Sequence, residues 1–216
     1  EDSLMLDPAK VEAAVTPRTK AIIVVHLAGA PAEMTRLKAI AERHGLALIE
    51  DSAQGVGAAR GGVPVGAIGD LGSFSFQSGK NITSGEGGII LTNDEALYER
   101  AWSLCNVGRV KNGAWYQHER IGWNLRMTEF QAAVLLGQLS RFEEQFRRRE
   151  RNAHLLHELL SEVEGIRVMK ESPEITRHAR HMYLFRLAPE VTERISKKDW
   201  IARVNQEGIP VQAGYI

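Results

Sequence analysis

Apolar and β-branched residues crowd into Lys20-Ala21-Ile22-Ile23-Val24-Val25-His26-Leu27, the pattern of a strand buried on both faces of a sheet. Pro31 then stands where a helix can open. Met34, Leu37, Ile40 and Ala41 recur at helical spacing, and Gly45 closes the run. Leu46-Ala47-Leu48-Ile49 predicts the next strand and completes a βαβ unit, with Asp51 just past its C-terminal end. In open α/β sheets ligands collect at that edge.

The pattern continues with a third strand over Gly72 to Phe76 and a fourth over Gly88-Ile89-Ile90-Leu91-Thr92. Asp94 is placed to cap a helix running to about Leu104. Residues 106–123 lose periodicity and carry Gly108, Gly113 and Gly122, so they read as a loop. Thr128-Glu129-Phe130-Gln131 matches a capping box. Beyond it, Ala132, Leu135, Leu136, Leu139, Phe142 and Phe146 mark a long amphipathic helix, straight or bent, that carries on to Gly165. Ile166-Arg167-Val168-Met169 and Met182 to Leu187 then predict two strands, and Ser196 opens a last helix that ends near Gly208. The predicted architecture is α/β, with a large domain built on a mostly parallel sheet (residues 1–127). A connecting helix (128–165) leads from it to a smaller C-terminal α/β domain (166–216).

Composition changes this picture little. The chain is 44% hydrophobic and 25% charged with zero formal net charge, so no global field points to nucleic acid or an anionic membrane. The basic run Arg147-Arg148-Arg149 with Arg151 is flanked by Glu143, Glu144 and Glu150, and reads as a solvated helix face. Cys105 has no partner in the chain, which fits a reducing cytoplasm. His154 with His157 and His178 with His181 have i,i+3 spacing, but no acidic or cysteine ligand completes a metal set, so no metal site is expected. No apolar run reaches transmembrane length and no signal-peptide pattern is present. The chain starts at Glu1-Asp2 and stops at Tyr215-Ile216, so both ends read as cut.

The candidate chemistry centres on Lys80. It lies among small, hydroxylated and glycine residues in Ser73-Phe74-Ser75-Phe76-Gln77-Ser78-Gly79-Lys80-Asn81-Ile82-Thr83-Ser84-Gly85-Glu86-Gly87-Gly88. A lysine that must let a planar cofactor approach the backbone needs such a setting; a surface lysine does not. An amine for a Schiff base, with the Asp51 carboxylate for a pyridinium nitrogen, is the minimal chemistry of pyridoxal phosphate (PLP). Gln54, three residues on, can hydrogen-bond or pack against the ring, and Ser75 can bind the phosphate in competition with Ser78, Thr83 and Ser84. A nucleotide-phosphate loop is excluded, because it needs glycine at Phe74 and Ser or Thr at Asn81. The dinucleotide fingerprint fails likewise at Ile90.

These residues closely resemble the DegT/DnrJ/EryC1/StrS group of PLP-dependent sugar aminotransferases. The resemblance is carried by Val25-His26-Leu27-Ala28-Gly29, Ile49 to Gln54, Phe74-Ser75-Phe76 with Lys80, Thr83 to Gly88, Gly122-Trp123-Asn124-Leu125-Arg126-Met127 and Gln138-Leu139. It implies PLP-dependent transferase fold type I and a homodimer with active sites at the subunit interface. It assigns Lys80 the internal aldimine, Asp51 the pyridine nitrogen, Gln54 the ring and Ser75 the phosphate; Asn124 reaches the phosphate of the neighbouring subunit. His26 is either near the cofactor or a buried strand-end histidine. Trp115, Tyr116 and Trp123 either line a substrate pocket or pack in the core or dimer interface.

The implied activity moves an amino group from glutamate or glutamine to a nucleotide-linked keto sugar or a keto cyclitol. Lys80 argues against the dehydratase branch of the family, where histidine replaces the lysine, and the Ser-Phe-Gln-x-x-Lys pattern from Ser75 to Lys80 is shared with cyclitol members. Family members carry a further segment before the point where this chain begins, with a phosphate turn and a ring-stacking aromatic. The expectation is therefore that the N-terminal part is lacking and that the chain alone binds cofactor poorly. The alternatives are an aminobenzoate-forming synthase on the same fold and a non-catalytic α/β binding or regulatory subunit.

Overall fold

The computed structural model describes residues 3–214. Asp7 caps a short helix α1 (Pro8–Ala14), its side chain accepting the Ala9 N–H at 2.9 Å. Strand β1 (Ala21–Val25) leads through a 3-10 turn (Leu27–Gly29) into α2 (Met34–His44), followed by β2 (Ala47–Asp51). A short pair, β3 (Ala59–Arg60) and β4 (Val63–Pro64), precedes β5 (Leu71–Ser75) and β6 (Gly88–Leu91). Helices α3 (Glu95–Cys105), α4 (Glu129–Leu139) and α5 (Phe142–Ser161) follow. The chain ends in β7 (Ile166–Val168), β8 (Ile175–Arg177), β9 (Phe185–Leu187), α6 (Pro189–Thr192) and α7 (Lys197–Gln206).

The main sheet has the order β1-β2-β5-β6. Its first two pairings are parallel and β5 with β6 is antiparallel, so the sheet is mostly parallel as expected. Ile22 and Val24 of β1 and Leu48 of β2 pack on Met34, Leu37, Ile40 and Ala41 of α2, with Val11 of α1 alongside. Each fully buried Val, Leu, Ile or Met side chain among them contributes about 1.5–3 kcal/mol. The prediction that β1 is buried on both faces is corrected: its residues alternate exposed and buried, and Ile23 is 61% exposed. Among the described residues, α1 and α2 cover one face only.

Local signals placed several ends correctly. Asp94 accepts the Leu97 N–H at 2.8 Å, and Thr128 and Gln131 form the reciprocal capping box. Tertiary contacts overrode others. α2 starts at Met34 rather than Pro31, and the Ala32 N–H just before it is taken by Nδ1 of His26 at 3.1 Å. The long helix is two helices; the Ser140 hydroxyl turns back on the Gly137 carbonyl at 2.9 Å, and Arg141 stands between them at φ −107°, ψ 0°. The strand predicted from Met182 begins only at Phe185, since His181 and Met182 donate their N–H groups to the Ala28 carbonyl. Strand β8 pairs with β3, so residues 175–177 join the C-terminal part of the chain to the larger unit.

One buried carboxylate organises the sheet. Glu50, on the side of β2 opposite Asp51, is 0% exposed. Its Oε1 accepts the Ile68 and Gly69 N–H groups, both at 2.7 Å. Its Oε2 accepts the Gly66 N–H at 2.8 Å and the His26 Nε2 hydrogen at 3.0 Å. The turn so held lies against β5 at Gly72, where an added Cβ would sit 2.0 Å from the Gly66 carbonyl oxygen. Burial pushes the Glu50 carboxyl up, but the His26 bond and the three N–H groups outweigh it and hold it below the ordinary value of 4.5.

Glu50→Gln keeps the shape and places an amide donor opposite the Gly66 N–H and the His26 Nε2 hydrogen. The expected loss is about 2–4 kcal/mol, read as a lower denaturant midpoint. Because the folded carboxyl titrates below its unfolded value, its stabilisation is complete above that unfolded value and disappears as pH falls through the folded one. The wild-type stability curve therefore drops on acidification below about pH 4.5, and the Gln variant is flatter there. Equal midpoints and parallel pH curves for the two proteins would show that Glu50 does not hold the sheet.

Candidate active site

Strands β1, β2 and β5 end side by side. Val25 pairs with Asp51 and Asp51 with Ser73, so their ends lie about 4.8 Å apart along the edge. The pairing extends past the strands: the His26 N–H reaches the Asp51 carbonyl at 3.0 Å, and the Ser52 N–H the Ser73 carbonyl at 2.8 Å. This C-terminal edge carries Asp51, His26 and Ser75, and Lys80 follows in the loop leaving β5.

Both ends of that loop are fixed at Phe76, which donates to the Gly87 carbonyl at 2.8 Å and accepts from Ser84 at 3.0 Å. Gln77 shapes the tip: its backbone carbonyl accepts the Lys80 N–H at 2.9 Å and its Oε1 the Gly79 N–H at 2.8 Å. The hydroxyls that compete for the phosphate are thereby distinguished. Thr83 donates to the Phe76 carbonyl at 3.0 Å and Ser84 to the Glu86 carbonyl at 2.8 Å, so both are spent on the loop. Ser75 and Ser78 accept from Gln77 at 3.3 and 2.7 Å and, among the described residues, donate to no acceptor. The Lys80 side chain is half-buried and its amine meets no hydrogen-bond or ion-pair partner among the described residues.

Asp51 is half-buried and accepts the Ala53 N–H on Oδ1 at 3.1 Å. Gln54 reaches back to accept the Ala28 N–H at 2.6 Å. Ala28 sits in the left-handed region (φ 56°) and Gly29 beside it at φ 89°, a turn held from above by residues 178–182. There the Ala179 N–H meets the Gly29 carbonyl at 2.9 Å, and the His181 N–H the Ala28 carbonyl at 3.0 Å. His26 is fully buried with both ring nitrogens engaged, Nε2 on Glu50 and Nδ1 on the Ala32 N–H. Of its two readings, this geometry is that of the buried strand-end histidine.

Three residues that pattern reading left aside converge next to Lys80. Asn81 donates from Nδ2 to the Ala179 carbonyl at 2.6 Å and turns Oδ1 to Nδ1 of His181 at 3.4 Å. Arg149 donates from Nη2 to the Asn81 carbonyl at 3.3 Å. The reading of the 147–151 basic run as solvated is corrected for Arg149, which is half-buried and turned inward on α5; Arg147, Arg148 and Arg151 are exposed. Burial, then the charges of Lys80 and Arg149, lower the pKa of His181 from its ordinary value. In the sequence, only the adjacency of Asn81 to Lys80 hinted at this cluster.

Asn124 lies elsewhere, exposed and bridged to Asn106. No hydrogen bond among the described residues joins it to Lys80, Asp51 or Ser75. Trp115, Tyr116 and Trp123 of the same loop are exposed, with Arg109 over the Trp115 ring at 5.5 Å. A cavity of about 480 Å³ is lined by Arg60, Glu171, Arg180 and Tyr183 and by none of the sequence-predicted site residues. The Lys80 region lies outside that cavity. Its residues (an amine and a strand-end hydroxyl hydrogen that find no acceptor among the described residues, and a carboxylate one strand away) fit a group bearing an aldehyde, a basic ring nitrogen and a phosphate.

The DegT/DnrJ/EryC1/StrS aminotransferase family matches residues 1–216. The chain is 46% identical over 195 residues to the L-glutamine:2-deoxy-scyllo-inosose aminotransferase of Streptoalloteichus tenebrarius, covering 84% of this chain and 45% of the relative. It is 41% identical over 229 residues to the enzyme of that name from Streptomyces fradiae, covering 99% and 53%. The crystal structure of 3-amino-5-hydroxybenzoic acid synthase superposes with a TM-score of 0.89 at 36% identity, over 97% of this chain and 54% of that one. The chain spans about half the length of the curated relatives it matches.

Gly29→Ala tests how residues 178–182 are docked on the edge. A Cβ there meets both the Ala179 Cβ and the Gln54 carbonyl oxygen at 2.8 Å in a left-handed backbone. The expected loss is about 1–3 kcal/mol, with faster amide exchange at Ala179 and His181. Gly61→Ala, also left-handed but with open space around it, serves as the control and leaves those two amides protected. Unchanged exchange in Gly29→Ala would disprove the docking role.

Proposed function

The chain belongs to the DegT/DnrJ/EryC1/StrS aminotransferase family, and from that premise we propose that the whole protein is a PLP-dependent aminotransferase. It moves the amino group of L-glutamine to a keto cyclitol. The observation that carries this reading is the Lys80 amine, without a hydrogen-bond or ion-pair partner among the described residues, in the loop that leaves the strand paired with Asp51. Relatives at 41–46% identity named for a glutamine donor and a cyclitol acceptor favour that pair over glutamate and a nucleotide-linked keto sugar.

PLP, when bound, supplies an aldehyde for the lysine and a ring that withdraws electrons from the reacting carbon. Lys80 would be the residue that holds its aldehyde, and with an amino substrate bound its amine would be the base that takes a proton from one carbon and returns it to another. Asp51 would keep the ring nitrogen protonated, since a nearby carboxylate favours the charged form. The Ser75 hydroxyl would donate to the phosphate, and Gln54, which braces the Ala28 turn, would lie against the ring. Glu50 and His26 act through the backbone they hold. Asn124, exposed on its loop, serves the phosphate of a neighbouring subunit in a homodimer, an arrangement that would also cover the exposed Trp115 and Phe130. The cytoplasm is the proposed location; no helix among the described residues is long and apolar enough to cross a membrane.

A second reading, an aminobenzoate-forming synthase, is favoured by the superposition on 3-amino-5-hydroxybenzoic acid synthase. Visible absorbance of the intact protein mixed with PLP separates these readings. The expected result is a yellow band that bleaches with L-glutamine and returns with 2-deoxy-scyllo-inosose. Lys80→Ala shows no band, and its turnover falls by at least about 10²–10⁴-fold. An aromatic product from a cyclic keto acid would support the synthase. Wild-type protein without any band would sink both enzymatic readings and leave a binding or regulatory subunit.

A further inference from the structure

We propose that Asn81 is a positioning residue for Lys80: held through its amide by Ala179 and through its carbonyl by Arg149, it fixes the backbone from which the reactive amine projects. The inference rests on the reading of Lys80 as the reactive amine.

The Asn81 amide is oriented by its partner. The contact with the Ala179 carbonyl at 2.6 Å must be made by Nδ2, because two acceptors cannot share that bond. The Asn81 carbonyl in turn accepts from Nη2 of Arg149 at 3.3 Å. Side chain and carbonyl leave the same Cα in different directions, so the two bonds fix where residue 81 sits and how it faces. Its planar peptide with Lys80 carries that constraint back to the lysine Cα. On the other side, the Lys80 N–H is held by the Gln77 carbonyl at 2.9 Å. Ile82, 2% exposed, also anchors the loop. Apolar burial is non-directional, however, and leaves the preceding peptide free to turn, whereas hydrogen bonds restrict it.

Both partners are themselves fixed. Ala179 is fully buried, and its N–H lies on the Gly29 carbonyl. Beside it, Gln54 holds the Ala28 N–H. Each step from Asn81 through Ala179 and the Ala28-Gly29 turn to Gln54 is a covalent neighbour or a hydrogen bond of 2.6 or 2.9 Å. The amine and the ring-side glutamine are thereby referenced to one turn. Arg149 projects from α5 and makes no ion pair among the described residues, whereas Arg60, Arg177 and Arg180 each meet a carboxylate. A half-buried guanidinium without a counter-ion is unfavourable for packing alone. Here its charge strengthens a bond to a neutral carbonyl in the lysine loop.

An amine on a four-carbon stem must be presented to carbons held on the sheet edge. Each freedom removed from its backbone narrows that search. The clamp therefore acts on turnover and not on how tightly an amino donor binds.

Four substitutions in the intact protein test it. Asn81→Ala removes the amide; Asn81→Asp keeps the shape but sets a carboxylate against the Ala179 carbonyl. Arg149→Met removes the donor to the Asn81 carbonyl, and Arg149→Lys retains one. With PLP, L-glutamine and 2-deoxy-scyllo-inosose, Asn81→Ala, Asn81→Asp and Arg149→Met should each lower kcat about 10–100-fold, with KM for L-glutamine unchanged. Arg149→Lys should recover most of the rate. Without cofactor, amide exchange at Lys80 should be faster in Asn81→Ala and Arg149→Met, while that of Leu97 at the α3 cap stays as in the wild type. Wild-type kcat in Asn81→Ala and Arg149→Met with only thermal stability lowered, a raised KM with kcat intact, or Arg149→Lys no better than Arg149→Met would each overturn the proposal. If the wild type forms no visible band with PLP, the aminotransferase reading fails, and exchange at Lys80 alone decides. Faster exchange in the variants then upholds the clamp, and unchanged exchange removes it.

Discussion

The structure depends on a carboxylate that cannot reach water. Glu50 sits at 0% exposure inside the sheet and is stable there because four donors converge on two oxygens. Three are backbone N–H groups of the turn at 66–69, and the fourth belongs to His26. One side chain therefore joins the end of β1, the body of β2 and the entry to β5. Because side chains alternate along a strand, directing Glu50 inward directs Asp51 the other way. The position of the candidate catalytic carboxylate is a consequence of its neighbour's burial.

A second layer of polar contacts ties the C-terminal part of the chain to the same edge. Residues 178–182 lay their N–H groups on the carbonyls of Ala28 and Gly29, while Gln54 holds the Ala28 N–H from below. Ala28 and Arg180 both adopt left-handed backbone, at φ 56° and 50°, a conformation with a cost for residues bearing a Cβ. That cost is offset by a hydrogen-bond network reaching Asn81 and Arg149. Strand β8, added to β3, fastens the same two parts of the chain at another point. The lysine loop is thus supported by segments from far along the chain, although its own turn geometry is local.

Legibility of the fold followed the range of the interactions. The caps at Asp94 and Thr128 were readable because donor and acceptor lie within three residues. Helix spacing and the βαβ unit were readable for the same reason. The bond that holds the approach to α2 was not, since it comes from His26, six residues before Ala32 and engaged across the sheet. Nor was the single covered face of β1, where five apolar letters in a row do not say how many layers lie against them. The strands β3, β4 and β8 are two or three residues long, too short for any periodicity to register.

The sequence by itself determined which chemistry is available. Lys80 in a glycine- and hydroxyl-rich loop, Asp51 at a strand end, and Gln54 and Ser75 at their spacings are local facts, set by residue type and short-range backbone preference. Tertiary structure alone decided which groups stay available for that chemistry. It engaged Thr83 and Ser84 in the loop while leaving Ser75 a hydrogen to give, buried His26 on Glu50, and turned Arg149 inward. It also brought His181 to Asn81 across 100 residues of chain. The reason is that a buried polar group must find its partner wherever the fold supplies one, and the pattern along the chain does not encode that distance.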